Sequence, residues 1–145
     1  MLEEYLAKLY PGQQIQLDPF TYAAPVFQFT AAGTLTGLIS IQADSDFIIQ
    51  SGCYFVNVAA AAQTRSNQNL FNGTFVLTDT GSGRQLMNQG VPVDSMFGNG
   101  QFPFIWQQPK MLLSKTSLQV QVTQIEATVQ DLYLSFNGVK VFRMG

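Results

Sequence analysis

A chain of 145 residues, 46% of them hydrophobic, is long enough for one domain that buries roughly two-thirds of its unfolded surface, and too apolar for disorder. Charged residues make up only 11% with a net charge of −2, and Lys and Arg are scattered from Lys8 to Arg143, which excludes a basic surface for a phosphate backbone. No histidine is present and Cys53 is the single cysteine, so the commonest general base, a typical zinc site and an intrachain disulfide framework are all excluded.

Polar duty falls instead on Gln, Asn, Ser and Thr. A weakly charged surface of this kind is compatible with extensive contact to other protein, because buried interface cores are depleted in charge. It is equally compatible with a soluble sandwich of low charge. The first residues, MLEEYLAKLY, are acidic where a secretory leader is basic, and Pro11-Gly12 interrupts them; no leader is expected. No apolar run approaches the roughly 20 residues of a membrane span.

Residues 2–10 read as a short helix, with Leu2, Tyr5, Leu6 and Leu9 on one side at helical spacing. Glu3 and Glu4 suit the positive end of the helix dipole, and Pro11-Gly12 stops it. Residues 1–12 thus form a helix or arm and residues 13–145 a β domain. The helix either lids the sandwich or docks on a neighbouring subunit, since one of this size is marginal alone.

Strand-like runs follow in close succession. Residues 14–17 offer Ile15 and Leu17; residues 26–30 offer Phe27 and Phe29; residues 34–42 offer Leu35, Ile39 and Ile41. After the Asp44-Ser45-Asp46 break come residues 47–49 and 53–58, interrupted at Ser51-Gly52, which predicts a bulge or tight turn that leaves Tyr54, Val56 and Val58 inward. The small residues 59–62 lead into a polar loop over 63–69, and residues 70–78 form a strand with Phe71, Phe75 and Leu77 on one face.

Residues 84–109 are rich in Gly, Pro and aromatics, too apolar for a solvated linker, and read as an ordered excursion with a short strand near 102–106. The clearest pattern lies last, in residues 116–142. Leu118, Val120 and Val122 alternate with polar residues, and Leu132, Leu134 and Phe136 alternate with Tyr133 and Ser135. Asn137-Gly138 then predicts a type I′ hairpin turn into a final strand over 139–142. About eight short strands with turns between them predict an all-β, antiparallel two-sheet sandwich of jelly-roll type.

Little in the chain points to catalysis. Asp44 and Asp46 read as turn residues before a weak calcium pair, and Asp79 and Asp94 likewise. Thr80-Gly81-Ser82-Gly83-Arg84 has the glycines of a phosphate loop without its Gly-Lys-Ser/Thr ending or helix, so a β-turn is the better reading. Asn72-Gly73-Thr74 matches a glycosylation acceptor, to which the lack of a leader gives no use. Cys53 lies in an apolar run and reads as a buried structural thiol. No cofactor or metal is expected, and the chain does not read as an enzyme.

Residues 77–86 (LTDTGSGRQL), then Val91-Pro92-Val93, Met96-Phe97-Gly98 and Phe102-Pro103-Phe104, resemble a pattern in structural proteins of tailed bacteriophages. The closing part, from Met111 to the Phe136-Asn137-Gly138-Val139-Lys140-Val141-Phe142 stretch, is similar as well. The resemblance covers about the last two-thirds of the chain and implies a small jelly-roll virion protein of the head decoration or cement type. Such a protein is made in the host bacterial cytoplasm, sits on the capsid exterior, and bridges and stabilises major capsid subunits.

The implied partners are the major capsid protein and further copies of the chain, as dimer or trimer through open sheet edges, with no nucleic acid or membrane. The candidate interface residues are Phe97, Phe102, Phe104 and Trp106, as aromatic anchors or as core, together with Leu2, Tyr5 and Leu9 of the helix. Two other readings stay open. One is a carbohydrate- or receptor-binding module of a tail or fibre, stacking sugars on Trp106, Tyr22 and Tyr54. The other is a head–tail connector subunit.

Overall fold

The computed structural model describes residues 2–58, 71–98, 104–127 and 129–144. Within them, α1 (Leu2–Leu9) precedes ten strands: β1 (Gln14–Ala23), β2 (Phe27–Phe29), β3 (Gly33–Ser40), β4 (Asp46–Val58), β5 (Gly73–Asp79), β6 (Arg84–Gln85), β7 (Val91–Pro92), β8 (Phe104–Leu112), β9 (Ser117–Gln124) and β10 (Gln130–Met144). The expectations for residues 59–70 and for Phe102 lie outside the described residues.

The strands form two antiparallel sheets. The first runs β1-β10-β4-β8, with β2 on the same edge of β10 as β1; the second runs β3-β9-β5, with β6 and β7 sharing the far edge of β5. Ala24 N–H donates to the Leu134 carbonyl, so β2 continues the edge that β1 begins. Taking β1 with β2, and β6 with β7, as single interrupted strands leaves eight, ordered 1-8-3-6 and 2-7-4-5. That interleaving of two Greek keys is the jelly-roll order.

Alternation builds the core. Leu118, Val120 and Val122 of β9 and Phe75 and Leu77 of β5 face Leu132, Leu134 and Phe136 of β10 and Phe47 and Ile49 of β4 across the sandwich. Phe97 ties the layers together: its ring lies 4.9 Å from Phe75 of one sheet and 5.3 Å from Phe136 of the other. At one end Gln130 donates to Gln124, whose own amide reaches the Ala31 carbonyl at 3.2 Å, so two buried glutamines close the sandwich through a chain of hydrogen bonds.

The expected bulge is present. Ile49 pairs Gly138 and Ser51 pairs Asn137, so Gln50 is the extra residue. It shifts the strand's parity by one: Phe47 and Ile49 face inward before it, Tyr54 and Val56 after it. The expected hairpin at Asn137-Gly138 is not. β10 runs unbroken through both residues and pairs β1 along one side and β4 along the other. Gly138 serves a close approach instead of a turn, because a Cβ there would sit 1.9 Å from the Ile48 carbonyl oxygen. Asn137 bonds across the sheet to Thr21 Oγ1 and Ser51 Oγ.

α1 packs on the outer face of the first sheet. Leu6 and Tyr10 are buried against Ile48 and Val141, flanked by Leu2, Tyr5, Leu9, Ile15, Met111 and Val139. The lid reading therefore describes the helix within this chain, over a sheet face and not over the sandwich's open end.

Candidate protein-interaction surface

Strand register sorts the surface by charge. Residues 29–33, 58, 72–73, 124–127 and 129–130 meet at one end, since Phe29 and Val58 pair Gln130 while Gly33 and Gly73 pair Gln124. The opposite end gathers the β3–β4, β5–β6 and β8–β9 connections. All three ion pairs among the described residues lie there: Lys110–Asp79 at 3.4 Å, Lys140–Asp44 at 3.2 Å and Arg143–Asp46 at 3.8 Å. Toward the first end the described charges are Asp94, Glu126 and Asp131.

That charge-poor half carries most of the exposed apolar side chains. Phe55 of β4 and Tyr133 of β10 are register partners on the outer face of the first sheet, 52% and 39% exposed, with ring centroids 5.7 Å apart. Ile105, paired with Ser51, adds a 73% exposed side chain on the same face at the β8 edge. Ile125 and Val129 are exposed in the β9–β10 connection. Cross-strand aromatic pairs stabilise a sheet modestly, and burying such a ring against a partner is worth about 1.5–3 kcal/mol. α1 covers the other half of this face, so the patch is the part of the sheet left open among the described residues.

The expected interface aromatics divide. Phe97 is 1% exposed, and Trp106 is buried against Phe136 with its Nε1–H donating to the Met96 carbonyl at 3.0 Å. Both are core residues here, so these two anchors of the apolar excursion point inward. Gly52 makes room for it, since a Cβ there would meet the Phe97 ring at 2.6 Å. Phe104 remains on the surface beside Ile105, and Leu2, Tyr5 and Leu9 lie half-buried on the sheet. Phe55 and Tyr133 were missed. In the sequence each reads as the outward member of an alternating strand, where a polar residue is the norm, and an aromatic in that slot was the available signal.

Several ionisable groups are engaged structurally. Asp46 accepts from Tyr10 Oη at 2.7 Å and Ser114 N–H at 3.0 Å. Asp79 accepts from Gly81 N–H and Ser82 Oγ, which makes Thr80-Gly81-Ser82-Gly83 the β-turn expected. Lys140 is buried, donates to Gln42 and Asp44, and lies 4.0 Å over the Phe20 ring. Burial and the Tyr10–Asp46 hydrogen bond hold the Tyr10 hydroxyl well above the ordinary tyrosine range. Burial, then the hydrogen bond to Asp94, push Tyr54 up to about 12. Cys53 is half-buried on the outer face and its Sγ lies 3.6 Å from Asn137 Nδ2, a departure from the fully buried thiol expected. Among the described residues no group of three or more acidic or cysteine side chains is placed to hold a metal.

Sugar stacking loses its named residues, because Trp106 and Tyr22 are in the core and Tyr54 is half-buried. A depression of 220 Å³ lined by residues 28–35 at the β2–β3 turn contains no ionisable side chain and offers apolar, amide and hydroxyl contacts.

The sequence matches no protein-family model and no curated protein. Among solved structures the chain is similar to the VP2 subviral particle of infectious bursal disease virus, at 11% identity and a TM-score of 0.33, over 88% of this chain and 32% of that one. The chain thus spans about a third of the length of that capsid protein.

Proposed function

We propose that this chain is a non-enzymatic structural protein of a tailed-phage virion, a head decoration or cement protein that sits on the capsid exterior and bridges and stabilises major capsid subunits. The observation that carries the reading is the open Phe55–Tyr133 pair with Ile105 beside it, on the charge-poor half of a rigid sandwich. Paired surface aromatics on a charge-poor face, where Asp131 two residues along β10 is the nearby charge among the described residues, have the composition of a protein-binding hot spot. The resemblance of the last two-thirds of the chain to tailed-phage structural proteins directs that binding to a capsid. Each contact can be weak, because sites repeated over a shell reinforce one another when bridged.

Binding of the purified protein to expanded heads that lack it tests this reading. Phe55→Ser with Tyr133→Ser is expected to leave the fold intact, since both rings are exposed, and to weaken head binding by about 2–4 kcal/mol, some thirtyfold to a thousandfold. Unchanged head binding by the folded double variant overturns the assignment of this surface.

A further inference from the structure

A two-sheet sandwich has four edges, and three of them here are blunted. β1 carries Asp18 and Pro19, and β8 carries Pro109 and Lys110 and loses register between Ile49 and Ser51. β6 and β7 are two residues each, and β7 ends in Pro92. These are the devices by which proteins keep a sheet edge from pairing with another chain. β3 has none of them. Its sequence, GTLTGLIS, has no charge and no proline, and it pairs β9 over all eight residues without a register shift.

The backbone groups facing outward from β3 can be named. Ile41 N–H donates to Thr116 and the Ile41 carbonyl accepts from Lys115, so position 41 points toward β9. Ser117, the partner of Ser40, gives its carbonyl to Thr80 on the β5 side. Alternation therefore directs the N–H and C=O groups of Thr34, Thr36, Leu38 and Ser40 away from the sheet. Leu38 is 55% exposed beside them.

We propose that this edge is covered by the β3 strand of a second copy of the chain, antiparallel about a two-fold axis at Gly37, joining two sheets into one. The strand complements itself. Antiparallel partners must share a face, and the register with Gly37 opposite the partner's Gly37 sets Leu35 beside the partner's Ile39 on the core side. It sets Thr36 beside the partner's Leu38 and Thr34 beside the partner's Ser40 on the outer side. All the outward backbone groups then find partners. A strand paired with itself about an axis brings any charge near its own copy, and β3 has no charge to repel. The outer positions of the adjoining strands, Gln119, Gln121 and Thr123 of β9 and Thr74, Val76 and Thr78 of β5, are uncharged too, so the joined face has no repulsive pair. One strand pair is small beside a standard interface of about 1,600 Å², which makes the dimer concentration-dependent. The inference is independent of the capsid reading.

Sedimentation velocity on the full chain, from micromolar to millimolar concentration, gives the first readout, and amide exchange at both extremes gives the second. The expected result is a monomer–dimer equilibrium in which Thr34, Thr36, Leu38 and Ser40 amides gain protection with concentration while β1 and β8 amides do not. Thr36→Lys with Leu38→Lys changes only outward side chains and is expected to weaken the dimer by about a hundredfold or more through like-charge repulsion without loss of fold. A wild-type chain that stays monomeric, forms a trimer, dimerises with protection at another edge, or dimerises equally well with both lysines overturns the proposal.

Discussion

Tyr10 joins the N-terminal helix to the sandwich through a single hydroxyl. It donates to Asp46 at the start of β4, and the same carboxylate accepts the Ser114 amide of the β8–β9 connection and lies 3.8 Å from Arg143. Tyr54 makes the parallel arrangement with Asp94. In both cases burial is the larger cause and the carboxylate the next, and both favour the neutral phenol. The folded chain therefore holds these protons more tightly than the unfolded chain, whose tyrosines ionise near pH 10. The stability this confers is intact below about pH 10 and is lost as pH rises toward 12, because above pH 10 the unfolded state binds fewer protons. Urea midpoints are expected to stay level from pH 7 to 9 with respect to these groups and to fall from pH 10 upward, less steeply in Tyr54→Phe. A Tyr54→Phe variant with the wild-type alkaline slope contradicts the assignment. None of this was legible in the sequence, where Tyr10 is a helix-end aromatic and Asp46, one of two turn aspartates, lies 36 residues away.

At the scale of elements, alternation and breakers place most strands, and the misreadings share one cause. Period-2 runs such as Leu118, Val120 and Val122 identify β9 without help from tertiary structure, and Ser51-Gly52 marks the β4 bulge. Asn137-Gly138 carries the strongest local hairpin signal in the chain, and β10 passes straight through it. A glycine is needed there because β4 presses the Ile48 carbonyl against the strand, and no local pattern reports a neighbour that arrives from about 90 residues away. Gly138→Ala separates the two accounts. In a turn it costs about 1 kcal/mol; against a backbone carbonyl 1.9 Å from the new Cβ it is expected to cost about 3 kcal/mol or more. That loss lowers Tm by roughly 10 °C for a chain of this size. A loss near 1 kcal/mol contradicts the continuous strand. The aromatic excursion shows the same limit: composition says that Phe97, Phe104 and Trp106 must be covered, and only the packing decides that Phe97 and Trp106 are covered by this chain while Phe104 stays outside.

At the scale of the molecule, the jelly-roll order separates, among the described residues, a charged end tied by three ion pairs from a charge-poor one. It also leaves the Phe55–Tyr133 patch and the β3 edge on different surfaces, one on the outer face of the first sheet and one along the second. The two proposed contact surfaces, with one sandwich between them, are what the cement proposal requires for bridging neighbours in a lattice. The low charge read from composition is compatible with contact to other protein and equally with a plain sandwich of low charge; the position of the proposed surface needed the register of β4 against β10, which no residue count contains. The central claim is that this chain is spread over a capsid. Its copy number in purified particles of its source, by quantitative mass spectrometry against the major shell protein, tests that most directly. The account predicts a ratio within a few-fold of the shell protein. A handful of copies per particle, as a connector or tip protein would give, or absence from particles, would contradict it.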